Sequence, residues 1–161
     1  MNRRNFNLTI GALMISPLAL QRALAERAMN DDIDWKNLTE SQWRERLTPE
    51  EFRVLREEGT EPAGASPLDK EKREGVFACA GCGQQLFRSD MKFDSGTGWP
   101  SFYNVIDGAV GEKRDFKLIW PRTEYHCSRC EGHQGHVFND GPKPTGLRYC
   151  NNGVALDFIP A

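Results

Sequence analysis

The fold depends on two C-x-x-C turns, CAGCG at residues 79–83 and CSRC at residues 127–130. Two residues between paired cysteines allow both sulfurs to bind one metal ion at roughly 2.3 Å, and four such sulfurs fit a closed tetrahedral zinc site. The sequence leaves open two local disulfides, a redox-active dithiol and an iron site. We predict a structural Zn²⁺ that joins distant parts of one domain, held by Cys79, Cys82, Cys127 and Cys130.

The fifth cysteine, Cys150, stands outside both pairs in the segment LRYCNNG. A free thiol near histidines is a candidate nucleophile. His133 and His136 lie among glycines in GHQGH, where the backbone leaves room for a substrate, although alone they could equally stabilise a turn. His126 adjoins a paired cysteine, and we expect it to be a neighbour of the metal or an ordinary strand residue.

The first 25 residues, MNRRNFNLTIGALMISPLALQRALA, resemble an export signal. Arg3 and Arg4 precede a mildly apolar run that ends in an A-x-A cleavage pattern, as in twin-arginine signals. We predict export to the periplasm or elsewhere outside the cytoplasm, with cleavage near Ala25. The alternatives are an ordinary secretory signal and a disordered N-terminus. The twin-arginine route accepts folded proteins, so the metal would bind before the thiols meet an oxidising compartment.

The charge of the remaining chain argues against nucleic acid as a partner. Removing the signal takes away three arginines and no acidic residue, which leaves 18 basic and 23 acidic residues and a net charge of −5. Nucleic-acid binders usually carry a basic surface. No later apolar segment approaches the ~20 residues of a membrane span, so we expect no stable membrane insertion. We divide the chain into the signal (1–25), an extension (26–40) and one domain (41–161), expected to be monomeric.

Local signals predict short helices at the start of the domain and strands after them. Thr39 with Gln42 forms a capping box. Thr48 with Glu51 forms a second one, and the proline between them suits the first helical position. Farther along, short apolar runs are separated by Gly, Pro, Asn and Asp, which is typical of an antiparallel all-β core. The predicted strands are Val76–Ala78, Gln85–Phe87, Phe116–Trp120, Thr123–Cys127, Leu147–Cys150 and Val154–Ile159.

Residues from about 40 to 159 resemble the methionine-R-sulfoxide reductase family, B type. The resemblance rests on FRSDMKFDSGTGWPSF (87–102), GHQGHVFNDGPKPTGLRYCNN (132–152), ALDF (155–158) and both C-x-x-C turns, in matching order and spacing. It implies a mainly β fold of two antiparallel β-sheets, tent-like, with short N-terminal helices and a structural zinc away from the reaction centre. The implied reaction reduces the R epimer of methionine sulfoxide, free or in proteins, to methionine, and so repairs oxidative damage.

The resemblance also implies site residues. Cys150 matches the family's nucleophile, which becomes a sulfenic acid, and Arg148 matches a basic residue expected to lower its pKa. Trp99 matches the residue that packs on the substrate's S-methyl group, with Phe138 as a second substrate-binding residue. Without that context, Trp99 in a Gly-Trp-Pro turn would read as a core aromatic. The polar residues expected around the sulfoxide oxygen are His133, His136 and Asn152.

The chain departs from the family at Thr97. Many members carry a second, resolving cysteine at this position, but Thr97 cannot form a disulfide with Cys150. We therefore expect a one-cysteine enzyme whose sulfenic acid is reduced by an external thioredoxin-like or glutaredoxin-like thiol through a mixed disulfide. The competing hypothesis is a binding module, a zinc-stabilised β-domain that recognises a peptide or small ligand around Trp99.

Overall fold

A computed structural model of the chain describes residues 33–115 and 122–161. The predicted export signal and the predicted strand Phe116–Trp120 lie outside these residues. Two short helices come first, α1 (Glu40–Arg46) and α2 (Pro49–Leu55). No helix in the described part of the chain is long and apolar enough to cross a membrane.

Both predicted capping boxes are present. The Thr39 N–H donates to Gln42 Oε1 at 2.8 Å, and the Gln42 N–H donates to Thr39 Oγ1 at 3.3 Å. The Thr48 N–H donates to Glu51 Oε2 at 2.8 Å, and the Glu51 N–H donates to Thr48 Oγ1 at 3.2 Å. Each box satisfies backbone donors that the first helical turn leaves without partners. The helices bury Trp43, Phe52, Val54 and Leu55.

Nine strands in the described residues form two antiparallel sheets. They are β1 (Gly75–Cys79), β2 (Gln85–Arg88), β3 (Lys92–Phe93), β4 (Ser101–Phe102), β5 (Val110–Asp115), β6 (Arg122–Cys127), β7 (His133–Phe138), β8 (Arg148–Asn151) and β9 (Leu156–Pro160). The smaller sheet has the order β2-β1-β9, and the larger sheet has the order β3-β4-β8-β7-β6-β5. The predicted fold class, two antiparallel sheets with short N-terminal helices, is therefore confirmed.

The predicted strands agree with β1, β2, β6 and β8 to within one residue at each end. The predicted start of the last strand at Val154 was wrong, because Gly153–Ala155 forms a 3₁₀ turn before β9 begins. The two-residue strands β3 and β4 were not predicted, and neither were β5 and β7. β5 has three exposed charged residues in its centre, and β7 buries polar side chains, so neither shows the apolar pattern of an ordinary strand.

Aromatic side chains fill the space between the two sheets. The rings of Phe87 from the smaller sheet and Phe102 from the larger sheet stack with their centroids 4.0 Å apart. Phe77 meets Phe102 edge-on at 5.0 Å, and Tyr125 meets Tyr149 edge-on at 5.2 Å. Burying each such ring contributes on the order of 2 kcal/mol. The inner face of the larger sheet is thus committed to the core, which leaves its outer face for other roles.

Candidate functional site

The four paired cysteines converge where the two sheets meet, since Cys79 ends β1 and Cys127 ends β6. The Cys79 and Cys130 sulfurs lie 3.7 Å apart, the Cys82 and Cys127 sulfurs lie 3.5 Å apart, and all four lie within 4.8 Å of one another. Sulfurs bound tetrahedrally to zinc at roughly 2.3 Å are about 3.8 Å apart. Contact with the Cys127 sulfur raises the pKa of the other three thiols, so the four cannot all ionise without a cation. The group can therefore hold a metal ion.

The two C-x-x-C turns have the same backbone geometry. The Gly83 N–H donates to the Cys79 carbonyl, and the Glu131 N–H donates to the Cys127 carbonyl, both at 2.8 Å. Gly83 and Glu131 both have left-handed backbones, with φ of 75° and 59°. In the second turn the residue with this conformation is Glu131 and not the following Gly132. A positive φ is uncommon for a residue other than glycine.

Strand alternation directs the thiol of Cys150 to the outer face of the larger sheet. Successive strand residues point to opposite faces, so Arg148 and Cys150 share one face of β8 while Tyr149 and Asn151 share the other. Tyr149 is part of the buried core, and the Tyr125 hydroxyl donates to Asn151 Oδ1 at 2.6 Å. The core therefore fixes the direction in which the Cys150 sulfur points.

A β-bulge puts both predicted histidines on that same outer face. Gln134 has no partner on β6, whereas the residues on either side of it pair with consecutive residues of β6. The extra residue lets His133 and His136, three apart in sequence, point to one side of the sheet. Their ring centroids are 5.5 Å apart. The alternative that these histidines stabilise a turn is excluded, because both lie within β7.

Cys150 opens into a small cleft of about 160 Å³. Clefts for drug-sized ligands are usually ~300–1,000 Å³, so this one suits a single side chain. Trp99 is only partly buried, and it lines the cleft instead of joining the core. The lining residues are Thr60, Trp99, Arg122, Gly135, His136, Phe138, Cys150, Asn151 and Asn152.

Two residues predicted for the substrate site, Arg148 and His133, lie outside this lining, as does His126, for which no role at the site was expected. Arg148 places its guanidinium carbon 4.5 Å from the centre of the Phe138 ring. His133 is only 2% exposed and lines a different cleft, of about 400 Å³, together with Glu124 and His126. His126 occupies β6, as expected for an ordinary strand residue. A larger cleft of about 670 Å³, lined in part by Glu61, contains neither cysteine nor histidine, whereas the smaller cleft contains both Cys150 and His136.

Burial and charge act in opposite directions on the Cys150 thiol. Burial raises the pKa of Cys150 above its ordinary value, while the Arg148 guanidinium and a hydrogen bond from Thr97 lower it by less. Arg148 thus acts in the expected direction but does not outweigh burial. The guanidinium is fixed by Asp140, with Nε donating to Oδ1 at 2.8 Å and Nη2 to Oδ2 at 2.9 Å. At neutral pH the resting group is therefore mainly a thiol.

Replacing Arg148 by methionine is expected to raise the pKa of Cys150 further. A methionine side chain is long enough to pack on Phe138, but the positive charge that lowers the pKa of Cys150 is lost. Each unit of pKa rise lowers the thiolate fraction at pH 7, and with it the rate of iodoacetamide alkylation, about tenfold. Arg148→Lys keeps the charge and should alkylate at nearly the wild-type rate. An unchanged rate in Arg148→Met would contradict the assigned role of the guanidinium.

His136 is held by an acidic partner that the sequence analysis missed. His136 Nε2 lies 2.8 Å from Asp115 Oδ2, which also accepts from Arg122 Nη2 at 2.7 Å. Burial lowers the pKa of His136 more than Asp115 raises it, so the ring is mainly neutral at pH 7. A neutral ring donates Nε2–H to the carboxylate, which leaves Nδ1 as a proton acceptor.

His133 has a similar acidic neighbour, also missed. Its Nδ1 lies 3.0 Å from Glu124 Oε1, and Lys113 Nζ lies 3.2 Å from Glu124 Oε2. Burial raises the pKa of Glu124, but the nearby His133 and Lys113 side chains lower the pKa by more and keep it below its ordinary value. Period-two spacing does put Arg122 and Glu124 on one face of β6. This spacing would have identified Arg122 and Glu124 as neighbours of the two histidines only if the pairing of β6 with β7 had also been known.

Comparison with known proteins gives consistent matches. The family model for the SelR domain matches residues 47–160. A peptide methionine sulfoxide reductase MsrB from Leptospira interrogans is 51% identical over 123 residues, covering 76% of this chain and 94% of that protein. The protein of the same name from Methanosarcina barkeri is 54% identical over 121 residues, covering 74% of this chain and 85% of that protein. That from Thiobacillus denitrificans is 53% identical over 123 residues, covering 76% and 93%.

Proposed function

The chain belongs to the methionine-R-sulfoxide reductase B family, and on that premise we propose that Cys150 is its only redox-active thiol. As a family member it is a peptide-methionine (R)-S-oxide reductase and acts on oxidised methionine in proteins. One observation carries the proposal: the Cys150 sulfur faces the cleft, whereas the other four cysteines form the buried cluster. We also propose that the protein is exported from the cytoplasm before it acts on its substrate and that it is a monomer.

The cleft can orient a methionine sulfoxide by its two small substituents. In the proposed complex the S-methyl group packs on Trp99, and the oxygen points towards His136. Asn152 has one amide hydrogen beyond its bond to the Gln134 carbonyl, and this hydrogen is available to the same oxygen. With methyl and oxygen both fixed, only one epimer presents its sulfur to Cys150. His133 does not line the cleft, and in this proposal it acts through His136, whose ring centroid is 5.5 Å away.

The reaction begins from a neutral thiol and a neutral imidazole, because burial favours both forms. His136 Nδ1 accepts the proton of Cys150 and passes it to the sulfoxide oxygen as the cysteine sulfur attacks the substrate sulfur. The transient bond between the two sulfurs and the substrate S–O bond then both break as the protonated oxygen passes to Cys150, which becomes a sulfenic acid. Methionine leaves with the electron pair that Cys150 has lost. Asp115 fixes the tautomer of His136 throughout.

Recycling uses an external thiol in this proposal, because the residue next to the nucleophile carries no sulfur. The Thr97 hydroxyl is near enough to Cys150 to lower the pKa of its thiol, and it lies 2.8 Å from Ser95 Oγ. A thioredoxin-like or glutaredoxin-like thiol attacks the sulfenic acid, releases water and forms a mixed disulfide with Cys150. A second thiol of the donor then resolves that disulfide and restores Cys150.

Replacing Thr97 by cysteine is expected to supply the missing resolving thiol. The wild-type side chain is near enough to lower the pKa of Cys150, so we expect the introduced thiol to reach the sulfenic acid and attack it directly. After one equivalent of methionine-R-sulfoxide, mass spectrometry should find a disulfide between position 97 and Cys150. The wild type should instead give a sulfenic acid that dimedone traps.

Thr97→Ser is the matched control, since it keeps a hydroxyl without adding sulfur, and it should behave as the wild type does. The one-cysteine scheme is overturned by a disulfide from Cys150 to any other cysteine in the oxidised wild type. It is also overturned if a thioredoxin-like or glutaredoxin-like donor fails to reduce the oxidised wild type.

We further propose that the metal of the four-cysteine cluster is zinc and that it acts structurally. The sulfur–sulfur distances of 3.5 and 3.7 Å fit tetrahedral thiolate ligation of zinc. The four residues that would hold the ion are fully buried, so they leave no open coordination position for a substrate. When bound, zinc would supply a cross-link between the sheets and take no part in sulfoxide chemistry.

A further inference from the structure

We propose that Glu61 is a positioning residue that holds Trp99 and Asn152 at the edge of the cleft. It lies between α2 and β1, in a stretch before the 3₁₀ helix Pro67–Lys70 that forms neither helix nor strand. Its carboxylate does not line the cleft, so it acts through other residues. This inference rests on the proposed function of the cleft and adds a residue to it.

The backbone of Glu61 bonds to both residues. The Trp99 indole Nε1–H donates to the Glu61 carbonyl at 3.1 Å, and the Glu61 N–H donates to Asn152 Oδ1 at 3.0 Å. The Asn152 amide also donates to the Gln134 carbonyl at 3.0 Å, so its orientation is set from two sides. The position of one residue thus determines where the indole plane and the Asn152 amide lie.

The side chain of Glu61 fixes that backbone in place. The carboxylate is 6% exposed, and it accepts from the Gly153 N–H at 2.5 Å and from the Val154 N–H at 2.9 Å. These are the first donors of the 3₁₀ turn that follows Asn152. Hydrogen bonds from backbone N–H groups to a buried carboxylate are roughly twice as strong as neutral ones.

The space around this contact leaves little room for adjustment. A Cβ placed on Gly153 would lie 2.0 Å from Ser66 Oγ and 3.2 Å from Glu61 Oε1, so only glycine fits here. The carboxylate therefore joins the segment before β1 to the end of β8, the strand that carries Cys150. Without it, no helix or strand hydrogen bond would hold the Glu61 backbone against the cleft.

Replacing Glu61 by glutamine tests the proposal. The amide keeps one acceptor but turns an N–H group towards a backbone N–H, so the segment must shift. Misplacement of substrate-binding groups by about 1 Å can cost up to about 100-fold in rate. We expect kcat/KM for methionine-R-sulfoxide to fall about 10- to 100-fold, with most of the loss in KM. Alkylation of Cys150 by iodoacetamide should stay at the wild-type rate.

Asp69→Asn is the matched control, because Asp69 is another buried carboxylate, 7% exposed, that does not line the cleft. It should lower the unfolding temperature without changing KM. Wild-type KM in folded Glu61→Gln overturns the proposal. Equal changes in KM and unfolding temperature in both variants also overturn it, because they indicate a merely structural role.

A measurement on the wild type covers the case in which Glu61→Gln fails to fold. The Trp99 indole N–H, assigned by comparison with Trp99→Phe, should exchange with solvent far more slowly than a free indole. Exchange at the free rate would show that the bond to Glu61 does not hold the ring, and it would overturn the proposal. This readout needs no turnover, so an inactive wild type would count against the proposed function alone.

Discussion

Replacing Cys150 by serine is expected to abolish sulfoxide reduction, with a loss of kcat of roughly 10⁴-fold or more. A serine hydroxyl ionises far less readily than a thiol, and its oxygen cannot take up the substrate oxygen as a sulfenic acid. The two side chains have nearly the same shape, so we expect the unfolding free energy to change by less than about 1 kcal/mol. Turnover of separated R and S sulfoxides with dithiothreitol measures the effect.

The wild type in this assay should consume the R epimer and leave the S epimer. Retained turnover in Cys150→Ser would mean that another group attacks the sulfoxide, and the assignment of the nucleophile would fail. Retained substrate binding with lost turnover is compatible with the enzyme. A pure binding module would show binding in both proteins and turnover in neither.

Replacing Cys82 by serine is expected to have the largest effect on stability. Structural zinc sites contribute about 10–16 kcal/mol in small domains, whereas whole proteins are stable by only ~5–15 kcal/mol. Loss of one of four ligands should therefore leave the chain largely unfolded at 37 °C and depleted of metal. Circular dichroism on heating and elemental analysis of the purified protein measure the two effects.

Cys150→Ser is the matched control for this second variant, because it makes the same change from sulfur to oxygen at a cysteine outside the cluster. It should keep the metal and the wild-type melting temperature. A Cys82→Ser protein with full metal content and unchanged melting would contradict the structural role of the cluster. Iron in place of zinc in the wild type would contradict the proposed identity of the ion.

Features encoded by neighbouring residues were predictable from the sequence. The capping boxes at Thr39 and Thr48 each depend on a residue three positions away, and both are present. The C-x-x-C pairs depend on two intervening residues, and their sulfurs do converge. In these cases a few local contacts decide the geometry, so a single sequence is enough.

Features that depend on strand pairing were not predictable in the same way. A strand with His133 and His136 three residues apart should point them to opposite faces, and only the bulge at Gln134 brings them together. Whether a strand bulges depends on its partner, which periodicity does not reveal. Asp115 likewise meets His136 only because β5, β6 and β7 are neighbours in the larger sheet.

Glu61 was missed for a related reason. An acidic residue before a proline in a loop is ordinarily exposed, and nothing in the nearby sequence predicts that its partners lie about ninety residues later, at Gly153 and Val154. A buried carboxylate satisfied only by backbone N–H groups leaves no pattern of side-chain types. Such a residue can be found only when the backbone path is known.

The unequal exposure of the five cysteines affects how the protein withstands chemical oxidants. The four cluster sulfurs belong to residues that are at most 1% exposed, whereas Cys150 is partly exposed and lines the cleft. Peroxide and hypochlorous acid damage the sulfurs that they can reach. The reagents that oxidise methionine therefore reach the cysteine sulfur whose oxidation a thiol can reverse. The four cluster sulfurs, which hold the two sheets together, stay shielded from them.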